Sequence, residues 1–179
     1  CLQHGADWVP YLAGGAGQSG YGDVISPASD APLKDGDVLM LDTGLVHDGY
    51  FCDYDRNFAV GHASTTTKNA QVQLMEAAVA GREAAKPGAT AHDVYAAMHA
   101  IVGGGDAGRL GHGLGMQLTE GLSLIDADHT VLQDGMVITL EPSVATVDDS
   151  LMVHEENIVI REGGAHVLSP WADLQLPVI

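Results

Sequence analysis

Ten residues in the first quarter of the chain recur 99 positions later, and this internal repeat limits the fold more than any other feature. Residues 33–42, Leu-Lys-Asp-Gly-Asp-Val-Leu-Met-Leu-Asp, return at 132–141 as Leu-Gln-Asp-Gly-Met-Val-Ile-Thr-Leu-Glu, identical at five of ten positions. Each copy is an Asp-Gly turn feeding a buried-type strand that ends on a carboxylate. A second acid follows each copy ahead of another strand: Asp53 before residues 57–60, and Glu155 before residues 157–160. Two copies are too few for a solenoid, so the expectation is a pair of β units related by a pseudo-twofold axis.

The rest of the chain fits around these units. Residues 1–37 are rich in Gly and Pro with little periodicity and are expected to form short strands and loops. A helix is expected over roughly residues 66–86, with Val72, Met75 and Val79 as its apolar stripe and Pro87-Gly88 as its stop. A second opens at Thr90, a natural N-cap, and runs through Val94, Tyr95 and Met98 to the glycines at 103–105. Residues 103–108 read as a flexible loop. Short β-rich runs follow at 136–140, 151–153, 158–160 and 165–168.

At 179 residues the chain is about one domain and can bury a core without disulfides or metal. Seven Lys and Arg against 24 Asp and Glu give a net charge of −17, which excludes a nucleic-acid binder and disfavours an anionic membrane surface. No apolar run approaches the ~18 residues of a membrane span. Cys1 and Cys52 form no CxxC pair and no disulfide framework, which points to a reduced, cytoplasmic setting.

A carboxylate at the end of an apolar strand is costly to bury unless it is paired or meets a cation. Asp42 follows Val-Leu-Met-Leu, and Glu141 follows Val-Ile-Thr-Leu. Packing the halves about a twofold brings Asp42, Asp53, Glu141 and Glu155 to its centre. Four acids there repel one another unless some stay protonated or two divalent cations neutralise them. His112, flanked by glycines in Gly111-His112-Gly113-Leu114-Gly115, is the best candidate to complete such a set. Carboxylates with one imidazole suit manganese, iron, cobalt or zinc.

These motifs lie in a familiar order. Leu41-Asp42-Thr43-Gly44, Asp53-Tyr54-Asp55-Arg56-Asn57-Phe58, the His112 segment, Thr139-Leu140-Glu141-Pro142 and His154-Glu155-Glu156-Asn157-Ile158 together resemble the pita-bread metallopeptidase family. That family includes methionine aminopeptidases, Xaa-Pro aminopeptidases, Xaa-Pro dipeptidases and creatinase-like relatives. The resemblance spans roughly residues 5–168. Intervals of 11 from Asp42 to Asp53, 29 from His112 to Glu141 and 14 from Glu141 to Glu155 are most similar to the Xaa-Pro dipeptidase branch.

The resemblance implies an α/β (α+β) pita-bread fold, a curved antiparallel sheet with helices outside, forming one catalytic domain over residues 1–179. The upstream creatinase-type domain of the family is not in this sequence. It further implies an enzyme holding two divalent ions, manganese foremost, with cobalt, iron or zinc as alternatives. Asp42 would hold one ion, Asp53 and Glu155 would bridge both, and His112 and Glu141 would complete the second. A hydroxide shared by the ions would attack the carbonyl, and Glu141 would carry its proton to the leaving nitrogen. The expected substrate is a small peptide or amide, and the expected assembly is a homodimer.

Three departures bear on substrate. The family's peptidases usually place a second His seven residues after the first, where this chain has Thr119. They also carry a His in the loop matching residues 21–27, which has none, and an Arg where Val153 stands. Turnover of a small solute, as in creatinase- or ectoine-hydrolase-like relatives, is therefore the alternative within the enzyme class. A catalytically silent binding module is the alternative outside it, opposed by the five filled ligand positions.

Other signals carry less. Residues 15–20 match GxGxxG, but Pro27 and Pro32 deny it the following helix of a dinucleotide site. Single histidines at 4, 62, 92, 99, 129 and 166 are expected at the surface or as caps. His47 and His154, beside the acids, are weighed as supporting groups. Cys52 is expected to point away from Asp53 as a buried structural thiol. Trp8 and Tyr11 are open between pocket lining and core.

Overall fold

The computed structural model describes residues 1–103 and 108–179, so most of the glycine-rich loop expected at 103–108 lies outside the described residues. The N-terminal half is a sheet of three ten-residue strands in the order β1 (Trp8–Gly17), β2 (Val38–His47) and β3 (Tyr50–Ala59). Two helices follow, α1 (Thr65–Ala84) and α2 (Ala91–Val102). The C-terminal half has β4 (Gly113–Leu114), β5 (Val137–Leu140), β6 (Ser143–Ala145), β7 (Leu151–Val153), β8 (Glu156–Val159) and β9 (His166–Val167). Here β4, β5, β8 and β9 form a second sheet in that order, and β6 pairs with β7. Every pairing between these strands is antiparallel. No helix among the described residues is long and apolar enough to cross a membrane.

Local chemistry explains most boundaries. Asp48 and Gly49, with φ of 50° and 83°, make the two-residue turn that joins β2 to β3 and matches the twist of the strands. Ser64 caps α1 by accepting from the Thr67 amide. Thr90 and Asp93 cap α2 reciprocally as a capping box. The core face of α1 differs from the stripe expected of Val72, Met75 and Val79: Met75 is buried, but Ala70, Leu74, Ala77, Ala78 and Gly81 do most of the packing. Close approach of α2 is the reason, since a Cβ at Gly81 would lie 2.6 Å from the Met98 sulfur. The N-terminal segment is also more regular than expected, because β2 pairs with β1 continuously from Tyr11 opposite Gly44 to Gly17 opposite Val38, and again at Trp8 opposite Val46 beyond an irregularity at Val9 and Pro10.

The two halves match in register. In β2–β3, Met40 lies opposite Asn57 and Leu41 opposite Arg56; in β5–β8, Thr139 lies opposite Asn157 and Leu140 opposite Glu156. The second-half partners are thus the first-half ones displaced by 99 and 100 positions. Contacts across the centre obey the same relation. The Asn57 Nδ2 donates to the Val153 carbonyl at 2.5 Å, while the Asn157 amide binds both backbone groups of Asp53, accepting from its N–H at 3.0 Å and donating to its carbonyl. Residues 153 and 53 are themselves equivalent, so each asparagine clamps the other half's backbone. Arg56 and its counterpart Glu156 pair across the same centre at 3.0 Å.

Each asparagine is fully buried, and removing one strands backbone groups at a cost of about 1–3 kcal/mol. Asn57→Ala and Asn157→Ala are expected to lower stability by that amount individually. Together they should cost less than the sum, because both release one clamp. Urea denaturation of the singles and the double measures it.

Candidate metal centre

β3 puts Asp53, Asp55 and Asn57 on one face by its two-residue period, and that face looks inward. β2 brings Asp42 to the same face opposite Asp55. His112 arrives on a loop pinned to β5. Its N–H donates to the Thr139 hydroxyl at 3.1 Å, its carbonyl accepts from the Thr139 N–H at 2.8 Å, and the Glu141 N–H donates to Leu110 at 2.8 Å. Gly111, at φ 143°, makes the turn, because a Cβ there would strike the Thr139 carbonyl. Glu155 enters just ahead of β8.

Asp53, His112 and Glu155 each offer a donor atom within 4.8 Å of the others. The His112 Nε2 stands 3.4 Å from Asp53 Oδ2 and 3.9 Å from Glu155 Oε1. Its Nδ1 lies 3.0 Å from the Gly113 carbonyl, which can only accept. That contact fixes a proton on Nδ1 and turns Nε2 toward the two carboxylates, the orientation a metal-ligating imidazole takes. Asp42 is tied to this cluster through Tyr11, whose hydroxyl reaches Asp42 Oδ1 at 3.1 Å and also the Asp53 carboxylate. Glu141 is a close enough neighbour to exchange charge effects with His112, Asp53, Asp55 and Asp42.

Burial and crowding of like charges dominate the electrostatics of the cluster. Burial, then the Asp53 charge, raises the Asp42 carboxyl to about 7 against the pull of its Tyr11 hydrogen bond. Burial raises Glu141, with Asp53 adding to it and His112 and Arg109 opposing. Burial, then Glu141 and Asp53, pushes Glu155 well above the carboxylate range. Glu155 Oε1 is buried with no hydrogen-bond partner. A donor set of carboxylates with one oriented imidazole, including an orphaned buried oxygen, fits divalent cations.

Other expected residues fall elsewhere. His47 is a surface residue held by the Gly5 carbonyl, 2.9 Å away. His154 is buried and bonds Glu156 Oε1 at 3.0 Å; burial lowers its pKa, so the ring stays neutral. Glu156, which burial alone would raise, is held low by that bond and by Arg56. Cys52 does point away from Asp53 but is only half-buried, since nothing among the described residues covers that face fully. Trp8 is exposed and packs edge-on to Phe51. The altered positions Val153 and the 21–27 loop are absorbed into packing, where the Tyr21 hydroxyl accepts from the Val153 N–H at 2.6 Å and lies 3.1 Å from Asn57 Oδ1. Thr119 is exposed and accepts from the Arg109 guanidinium at 3.3 Å. Arg109 and Glu141 share a cavity of about 610 Å³, otherwise mainly apolar, with Val24, Val144 and Val153 among its walls.

Sequence reasoning passed over Asp55, Arg109 and the two asparagines as site components. Asp55 was discoverable from strand alternation with Asp53; the asparagines needed the packing of the halves.

Antiparallel halves about a pseudo-twofold, with acids and one histidine gathered at its centre, define a pita-bread metallohydrolase fold. The chain belongs to metallopeptidase family M24, whose family model matches residues 7–162. It is 33% identical over 147 residues to an Xaa-Pro dipeptidase of Pyrococcus furiosus, covering 79% of this chain and 42% of that protein. It superposes with a TM-score of 0.90 on the dipeptidase PepE from Mycobacterium ulcerans, at 26% identity over 99% of this chain and 49% of that one. For the prolidase from Pyrococcus furiosus the TM-score is 0.86, at 29% identity over 96% and 52%. The chain thus spans about half the length of these relatives.

Carboxyls whose pKa rises on folding stabilise the folded chain while protonated. That contribution is complete below about pH 4, the ordinary range, and is lost as pH climbs through the folded value, about 7 for Asp42. Metal-free protein is expected to lose thermal stability from about pH 4 to pH 8, and Mn²⁺ to reverse the loss at the upper end. Melting temperatures across that range, in chelator and in Mn²⁺, check it.

Proposed function

We propose that residues 1–179 form the catalytic domain of a metal-dependent hydrolase that cleaves C–N bonds in small Xaa-Pro-type peptides, working in the cytoplasm as a homodimer with two manganese ions. Asp42, Asp53, His112, Glu141 and Glu155 would hold the ions. The observation that carries this reading is the His112 ring, held at Nδ1 by the Gly113 carbonyl so that Nε2 faces Asp53 and Glu155, the donor atoms of all three lying within 4.8 Å of one another. When bound, the cations supply an activated water and a polarised carbonyl.

The chain's own residues do the rest. Glu141 stands on the wall of the cavity shared with Arg109 and has a raised pKa, properties suited to accepting the water's proton and returning it to the leaving nitrogen. Tyr11, whose hydroxyl burial and Asp53 keep protonated, donates to Asp53 and Asp42 and orients them. The apolar walls of the cavity suit a compact side chain or ring and limit water around the reacting bond.

A second reading, hydrolysis of a small non-peptide amide or amidine, is favoured by the Arg109–Thr119 contact. Where the resemblance places an imidazole in peptidases, this chain has an exposed hydroxyl that accepts from Arg109 on the cavity wall. Neither shuttles a proton at neutral pH as imidazole does. Loss of such a donor typically lowers rate by about 10²–10³.

With Mn²⁺ supplied, weak turnover of Xaa-Pro dipeptides is expected, abolished by Glu141→Gln and raised by Thr119→His. The check is kcat/KM over a dipeptide panel for all three proteins. No activity in wild type or Thr119→His with both ions bound would reject the peptide reading in favour of the small-amide one.

A further inference from the structure

A fifth acid lies at the same centre. Asp55 is 2% exposed, and no donor among the described residues reaches its Oδ1. It shares the inward face of β3 with Asp53 and sits directly opposite Asp42 in the ladder, a position where like charges repel. The neighbouring cation opposes the repulsion only at a distance: Arg56 directs its guanidinium to the backbone carbonyls of Asp55 and Glu155, each at 2.7 Å, and to Glu156 at 3.0 Å. A carboxylate buried this deeply without a donor needs a cation or a proton.

The register of the two halves says which acid it corresponds to. The β5–β8 ladder ends with Leu140 opposite Glu156, and continuing its register by one step would set Glu141 against Glu155. The same step in β2–β3 is Asp42 facing Asp55. Asp55, rather than Asp53, is therefore the first-half counterpart of Glu155, and Asp42 the counterpart of Glu141. The symmetric core of the site is two facing acid pairs, with Asp53 and His112 added to it.

Building on the proposed dinuclear site, we propose that Asp55 is a sixth ligand, its carboxylate binding together with Asp42 the cation held by the N-terminal half. An extra carboxylate with no imidazole on that side makes this position oxygen-only, which favours hard ions such as Mn²⁺ over thiolate- and imidazole-seeking ones.

The test is isothermal titration of chelator-stripped protein with Mn²⁺ alone, comparing wild type with Asp55→Asn, which keeps the shape, and Asp55→Thr, which removes the group. Melting temperatures in chelator and in Mn²⁺ accompany each. Wild type is expected to bind two Mn²⁺. Both variants should lose one equivalent or weaken it at least about tenfold. Their melting temperatures in chelator should be equal to or above wild type, because a buried repulsion has gone, while the rise on adding Mn²⁺ shrinks. A structural role for a protonated Asp55 predicts otherwise: unchanged Mn²⁺ stoichiometry and affinity in a folded variant overturn the proposal. Failure of wild type to bind Mn²⁺ at all would overturn the dinuclear reading itself, and this inference with it.

Discussion

Asn57 and Asn157 hold the backbone of the opposite half at the equivalent residues 153 and 53, and the rest of the structure is arranged around that exchange. A side-chain amide can donate and accept at once, so it replaces ladder hydrogen bonds where the two sheets meet and neither can extend. Because the clamped residues lie two positions or fewer from Asp55 and Glu155, the clamp fixes where the acids stand. Burial of both asparagines makes the arrangement all-or-nothing, since a half-formed clamp leaves buried backbone polar groups unsatisfied.

The price of that precision is electrostatic. Asp42, Asp53, Asp55, Glu141 and Glu155 converge in a centre whose only imidazole is His112, while Arg56 is directed to Glu156 and to carbonyls. Burial is the leading cause of the raised pKa of Asp42, Asp55, Glu141 and Glu155, and the neighbouring acids add to it. Such a centre is tolerable only because scaffold stability lies elsewhere. One apolar cluster joins α2 to β5 and β8 through Val94, Met98, Ile138, Leu140 and Ile158. Another lies under β2 and β7 around Met40, Leu74, Val144 and Met152. The acids are held apart from both and kept ready for cations.

Around this centre the surroundings differ from what the family resemblance implies for a peptidase. Tyr21 and Val153 stand at two of the altered positions and bond to each other and to Asn57, so these positions serve the clamp. At the third, Thr119 meets Arg109. The acid cluster is set mainly by strands and the Thr119 contact by a loop, and loops can vary without disturbing that cluster.

Much of this was legible in the residues. The repeat announced the two halves, the terminal carboxylates Asp42 and Glu141 announced a buried acid cluster, and Gly111-His112-Gly113 announced a histidine in a tight turn. Thr90 and Pro87-Gly88 marked the helix start and stop through capping and backbone restriction, which are local effects. Pairing of the second acids was not legible: the first acid after each repeat pairs Asp53 with Glu155, whereas the strand offsets of 99 and 100 positions match Glu155 with Asp55, because β3 carries two acids on one face. Nor did spacing reveal that Ala70, Leu74 and Ala77 face the core, or that Arg109 reaches Thr119. The sequence by itself determined which elements form and which residues carry charge, because propensity, capping and side-chain chemistry act over a few positions. Register, packing face and long-range partners were decided only by tertiary structure, because they depend on which distant surfaces meet.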